Sequence, residues 1–197
     1  RDLVGGIVGI MTNGTVNNCV NSGAITISDT HSAAGIVADM KNGTVSNCTN
    51  SGIITITSGA DGGGIVGSMI TGTVSGCINS GDVVSSWANG TLGGIVGKIT
   101  GTDPIPTIIN CTNRGNVSIG KSVNSESTIG GIVGGVSKAV IIDGCKVADT
   151  GTVKLDGGYK VCGIIGSSPL SYTVTVKNCT VGPGLTMIGA MRSEGTI

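Results

Sequence analysis

Phenylalanine is absent from the 197 residues, and one Trp and two Tyr are the only aromatic side chains. Charge is almost as scarce: Asp, Glu, Lys and Arg make up 11% of the chain, against about 25% in an average globular protein. The eleven acids balance the eleven bases, so no electrostatic footprint for nucleic acid or an anionic membrane is present. A single histidine, His31, excludes an HExxH zinc site built from this chain, which needs two imidazoles. No apolar run reaches the 18 or so residues of a membrane-spanning helix, so membrane insertion is not expected. Arg1-Asp2 opens directly on a Gly/Val stretch without the regions of a signal peptide, as in a mature chain or an excised segment of a longer one.

What fills the chain instead is Gly, 37 residues of it, with Val, Ile and Thr. Enough apolar surface is present to offset ordering entropy, which argues against disorder. Four prolines and the lack of a Gly at every third position exclude collagen.

Self-similarity explains the bias. Gly6-Ile7-Val8-Gly9 returns as Gly35-Ile36-Val37-Ala38, Gly64-Ile65-Val66-Gly67, Gly94-Ile95-Val96-Gly97, Gly131-Ile132-Val133-Gly134 and Gly163-Ile164-Ile165-Gly166. Each copy is followed by a cysteine: Cys19, Cys48, Cys77, Cys111, Cys145 and Cys179, separated by 29, 29, 34, 34 and 34 residues. Between the landmarks lie an Asn-Gly or Thr-Gly corner, a short β-branched run, an Asn-Ser-Gly punctuation and an alternating run such as Ile25-Thr26-Ile27. Three short strands and three corners per unit are expected.

A unit so small cannot bury its apolar face alone, so the copies must stack. The expected fold is all-β: a right-handed parallel β-helix, a three-sided β-solenoid of about six coils starting near residues 5, 34, 63, 93, 130 and 162. It forms a single domain over 1–197. With about 4.8 Å per coil the prism is roughly 30 Å long. Stacking predicts one inward ladder of Ile25, Ile54, Val83, Val117 and Val153, and a second of Ile27, Ile56, Ile119 and Leu155. All four prolines fall outside the expected strands.

This grammar resembles the GLUG-motif repeat family, through the six GIVG-like segments and signatures such as Asn47-Cys48-Thr49-Asn50-Ser51-Gly52. The resemblance runs from Gly5 to about Gly184. It implies a structural or adhesive array of a large secreted or surface protein of bacteria, in some cases upstream of an IgA1-type metallopeptidase. Departures are Ala38 for the fourth Gly, Gly76 and Gly144 for the Asn before Cys, and Lys146-Val147-Ala148-Asp149 in coil five.

Residues with chemical potential are few. Six of the seven cysteines share one repeat position and read as a ladder of small core fillers, although a disulfide between stacked neighbours is not excluded by spacing. Cys162, outside that row, is expected to be a buried free thiol. Ligands one per coil in a straight row do not make a tetrahedral metal site, so no metal and no cofactor is expected. His31 reads as an exposed corner residue. Acids such as Asp29, Asp61, Asp103, Asp149 and Asp156 look scattered over corners, without the paired carboxylates of a glycosidase. The outward residues of the alternating run form no regular Thr lattice of the kind that would bind ice. Asn-x-Ser/Thr sequons, at Asn13, Asn42 and elsewhere, follow from composition and matter only in a glycosylating host.

The informative irregularity is the lengthening of the later coils, because insertions in solenoids map to loops on one face. The corner before the GIVG segment stacks the Trp87 loop, residues 121–128 and the Asp156–Lys160 loop. Trp87, Asn89, Lys121, Glu126, Asp156, Tyr159 and Lys160 are therefore the candidate binding residues, with Trp87 and Tyr159 as platforms for a glycan or protein partner. The plainer account, aromatics covering a corner, stays open. No enzymatic activity is expected, and the location implied is extracellular or at the cell surface. A head-to-tail homo-oligomeric filament through uncapped ends and a carbohydrate-active β-helix are the alternatives.

Overall fold

A computed structural model describes residues 3–28, 31–57, 60–87, 89–101, 103–120, 127–157, 159–168 and 171–188. Within them every regular element is a strand. The strands stack into five sheets of six, one strand per coil, and every pairing is parallel. The chain makes six circuits joined by five stacking steps, a parallel β-solenoid.

Sheet one holds Leu3–Gly5, Ser32–Ala34, Asp61–Gly63, Thr91–Gly93, Thr128–Gly130 and Lys160–Cys162. Sheet two holds Val8–Met11, Val37–Met40, Val66–Met69, Val96–Ile99, Val133–Val136 and Ile165–Ser167. Sheet three runs from Thr15–Asn17 to Val174–Lys177, sheet four from Val20–Asn21 to Thr180–Val181, and sheet five from Ile25–Ile27 to Leu185–Ile188. Three of these correspond to the strands expected in each unit. The GIVG segment, however, straddles a bend between sheets one and two, and the strands of sheet four, each of two residues, are too short for any periodicity to show. Each coil thus carries five strands, not three.

The core is a stack of single-residue ladders. Met11, Met40, Met69, Ile99 and Val136 line up in sheet two, and Val45, Val74, Ile108 and Ile142 in sheet three, all buried. Ile36, Ile65, Ile95 and Ile132 of the GIVG segments are fully buried at the bend. In sheet five Ile25, Ile54, Val83 and Val117 stack as expected, but Val117 pairs with Leu155, two residues beyond Val153. Coil five carries four extra residues ahead of this strand, where the spacing suggested two. The slip is even, so the same face stays inward. Leu155 joins the first ladder, and Ser85 takes the second-ladder place between Ile56 and Ile119.

The corner before each cysteine explains two of the departures. Asn18, Asn47, Gly76, Asn110, Gly144 and Asn178 all have φ between 51° and 64°. Only Gly, and among other residues chiefly Asn or Asp, enters this left-handed region cheaply. Gly76 and Gly144 therefore keep the corner that Asn makes elsewhere.

A buried polar ladder runs through sheet four. Asn50, Asn79 and Asn113 are fully buried, and Asn21 is 9% exposed. Asn21 Nδ2 donates to Asn50 Oδ1 at 2.8 Å, Asn50 to Asn79 at 2.8 Å and Asn79 to Asn113 at 2.9 Å. Each amide also donates to the carbonyl two residues on, at Gly23, Gly52, Gly81 or Gly115, closing its own turn. The GIVG glycine of the same circuit makes room for it: a Cβ on Gly64 would lie 2.3 Å from Asn79 Cγ and 2.2 Å from Gly94 O.

Candidate functional site

The lengthened corner joins sheet five to sheet one. Trp87 follows Val83–Ser85 and precedes Thr91–Gly93, and Tyr159 follows Val153–Asp156 and precedes Lys160–Cys162. Both therefore occupy one corner, two stacking steps or about 10 Å apart. Trp87 is 54% exposed and Tyr159 37%. Their backbones are tied down: Trp87 N donates to Ser85 Oγ at 3.2 Å, and Tyr159 N to Ser127 Oγ at 3.0 Å. Asn89 is exposed on the same corner. Asp156 closes its strand and pairs with Lys154 at 2.7 Å, which turns its charge along the sheet-five strand. Lys121 and Glu126 lie outside the described residues.

Lys160 belongs to a second feature that the motif spacing did not announce. The first residues of sheet one stack as Leu3, Ser32, Asp61, Thr91, Thr128 and Lys160. In sheet two Ile10, Asp39, Ser68, Lys98, Gly135 and Ser167 stack in the same way. Between these rows lies an axial groove in two parts. One, of about 280 Å³, is lined by His31, Ser32, Asp39, Asp61, Ser68 and Thr100 with Leu3 and Ile70. The other, of about 250 Å³, is lined by Thr91, Lys98, Thr128, Gly135, Val136, Ser137, Lys160 and Ser167. Asp61 and Lys98, one from each part, meet at 3.8 Å.

The groove mixes polar and apolar side chains and is divided by charge. Its first part holds His31, Asp39 and Asp61; its second holds Lys98 and Lys160. Burial pushes the Asp61 carboxyl above the usual range, opposed by Lys98 and by a hydrogen bond with Thr91. The acids expected to be scattered are thus partly gathered, with Asp39 and Asp61 beside the exposed His31. The signal that would have shown this is positional: the groove rows are the residues three before and four after the first Gly of each GIVG segment. Among the described residues no group of three or more His, Cys, Asp and Glu is arranged to hold a metal ion.

The cysteine row is structural in its contacts. Cys48, Cys77, Cys111 and Cys145 are buried, Cys19 and Cys179 half-buried, and all are free thiols. Each buried thiol donates to backbone carbonyls, as Cys77 does to Ser75 O at 3.3 Å and to Val45 O of the preceding coil at 3.7 Å. Burial pushes the Cys48 thiol up to about 11. Farther along, neighbouring thiols perturb one another: Cys111, flanked by Cys145 and Cys77, is held well above its usual value, while Cys77 and Cys145 are lowered by Cys111. Cys162 does not follow its expectation. It is exposed, because it lies on the last described strand of sheet one and no further strand covers it.

Fold and site together define a parallel β-solenoid repeat protein with an axial groove divided by charge. A family model described as the GLUG motif matches residues 88–118. That stretch is one circuit, coil four, beginning in the Trp87 corner, and its landmarks recur in register in the coils on either side. No curated protein and no solved structure matches the chain.

Proposed function

We propose that this chain is a non-enzymatic structural and adhesive module of a secreted or cell-surface protein, contacting a glycan or protein partner through its lengthened corner. The observation that carries the reading is the placement of the exposed Trp87 and Tyr159 on one corner, each on a backbone fixed by a hydrogen bond. Rigid aromatic faces of this kind give contact area at little entropic cost. The test is a screen of glycans and surface proteins against the parent chain and the Trp87→Ala, Tyr159→Ala double variant. A weakening of at least about tenfold, as for the loss of one strong contact, is expected. Ligands that bind both proteins equally would remove the corner from the interface.

A second reading is head-to-tail assembly through the first and last described coils. Ile7, Ile10 and Val20 are 43–66% exposed on the first, and Val176, Val181 and Met187 45–53% on the last. Among the described residues, the first and last strands of each sheet pair on one side only. Electron microscopy across a concentration series distinguishes the two readings, since persistent short monomers would eliminate assembly.

A further inference from the structure

We propose that the basic part of the groove is an oxyanion subsite that takes a single carboxylate or sulfate group of an acidic glycan, seated at Gly135 between Lys98 and Lys160. The inference rests on the glycan reading above and names the class of sugar it would require.

Three observations converge. The outward row of sheet two carries a side chain in every coil but the fifth, where Gly135 leaves its place unfilled. Lys98 of coil four and Lys160 of coil six line the same cavity on either side of that place. Thr128, which also lines it, is only 6% exposed, yet its hydroxyl has no hydrogen-bond partner among the described residues. A Cβ on Gly135 would lie 3.6 Å from Thr128 Oγ1, so the hydroxyl adjoins the unfilled place. A buried hydroxyl without a partner is costly unless something supplies one.

The donors available are ammonium and hydroxyl groups, which suit an anionic oxygen group. Lys98 meets Asp61 only at 3.8 Å and half-exposed, a weak pairing that an incoming anion can replace. Lys160 forms no ion pair among the described residues. The other part of the groove, with Asp39 and Asp61, repels a densely anionic chain, and the protein has no net charge to attract one. The fitting ligand therefore carries widely spaced negative groups on a neutral, hydroxyl-rich chain. Tyr159 and Trp87, on the corner that leads into this end of the groove, supply faces for the neutral rings.

The experiment is calorimetric titration of the whole chain at low salt with four probes: a uronate-containing oligosaccharide, its carboxyl-reduced neutral form, a sulfated oligosaccharide, and a Glu-rich peptide of matched length. Either charged saccharide is expected to bind at least about tenfold more tightly than the neutral form. Lys98→Gln and Lys160→Gln each remove most of that preference without lowering Tm, and added salt erodes it. Gly135→Ser fills the place and has the same effect; because its Cβ would come within 2.9 Å of Thr91 Cγ2, the lysine variants keep the test independent of packing. Equal binding of charged and neutral saccharides overturns the subsite and leaves the glycan reading standing. No saccharide binding overturns both, and preference for the peptide overturns the saccharide assignment.

Discussion

Coils one to four and coils five and six answer the same geometric demand at sheet four in opposite ways. In the first group the inward position is Asn, hydrogen-bonded from coil to coil, and the turn after it is a tight Asn-x-Gly. In coils five and six it is Val147 and Val181, and in coil five the turn is replaced by a longer loop with positive φ at Ala148 and Gly151. The difference shows that the amide does two jobs, propagating a ladder and closing a turn. When Val takes the place, nothing is left to close the turn, and the chain is free to lengthen there. The length of this one turn therefore changes where the polarity of the buried position changes.

The sharpest way to break the comparison is inside the polar half. Asn79→Ala deletes an acceptor for Asn50 and a donor to both Asn113 Oδ1 and Gly81 O, leaving buried groups unpaired on two neighbouring coils. Each net bond is worth about 1 kcal/mol and each orphaned group costs about 1–3 kcal/mol, so a loss of about 2–4 kcal/mol is expected in denaturant unfolding. Asn113→Val, by contrast, moves the boundary one coil and places Val beside Val147; its expected cost is about 1 kcal/mol. Equal costs at the two sites would show that the amides act singly rather than as a ladder.

This ladder also marks how far the sequence alone could be read. Six GIVG-like segments, each followed by a cysteine, made the stacking and most of the register legible, because a repeat averages out local ambiguity. The Asn-Ser-Gly segments read only as punctuation between strand runs; stacking reveals that successive amides are buried and satisfy one another. The two-residue strands of sheet four are too short for any period to show. The slip from Val153 to Leu155 arose because an even insertion leaves the alternation intact and so leaves no trace in the pattern. For the site, the Trp87 and Tyr159 corner was accessible by counting residues between landmarks. The groove was not, because Thr91, Thr128, Gly135 and Lys160 sit on successive coils and meet only through register.

A middle-sized effect comes from the row that does not change between the two halves. Cysteine occupies its position in all six coils, so it reports on packing while the Asn row changes. The Cys48 thiol, ordinarily near 9.0, is raised to about 11 in the folded chain. Its contribution to stability is accordingly full below pH 9 and is lost as pH rises toward 11, where the unfolded chain ionises first. The parent is expected to lose stability across that window faster than Cys48→Ala, whose deficit at neutral pH should shrink. In the same samples at pH 8 one thiol, Cys162, should alkylate rapidly in the native state, against all seven after unfolding. Rapid labelling of Cys77 or Cys111 would mean that the row opens locally and is not a packed ladder.

The smallest effect lies on the surface of the boundary itself. Where the Asn ladder stops, Arg114 of coil four reaches Asp149 of the lengthened loop in coil five, with Nε to Oδ1 at 3.0 Å and Nη2 to Oδ2 at 3.1 Å. Hydrogen bonding from Arg114 holds the Asp149 carboxyl below its ordinary value. Stability from this pair is therefore present above the unfolded carboxylate range and is lost as pH falls through the lowered folded value. Both groups are largely solvated, so Asp149→Asn should cost no more than about 0.5 kcal/mol and less at high salt. If the bidentate pair serves to hold the loop that the missing amide leaves open, the same substitution in an Asn113→Val background should cost more than in the parent. Strict additivity in that double-mutant cycle would separate the ion pair from the boundary, leaving the loop's own positive-φ residues to close the turn.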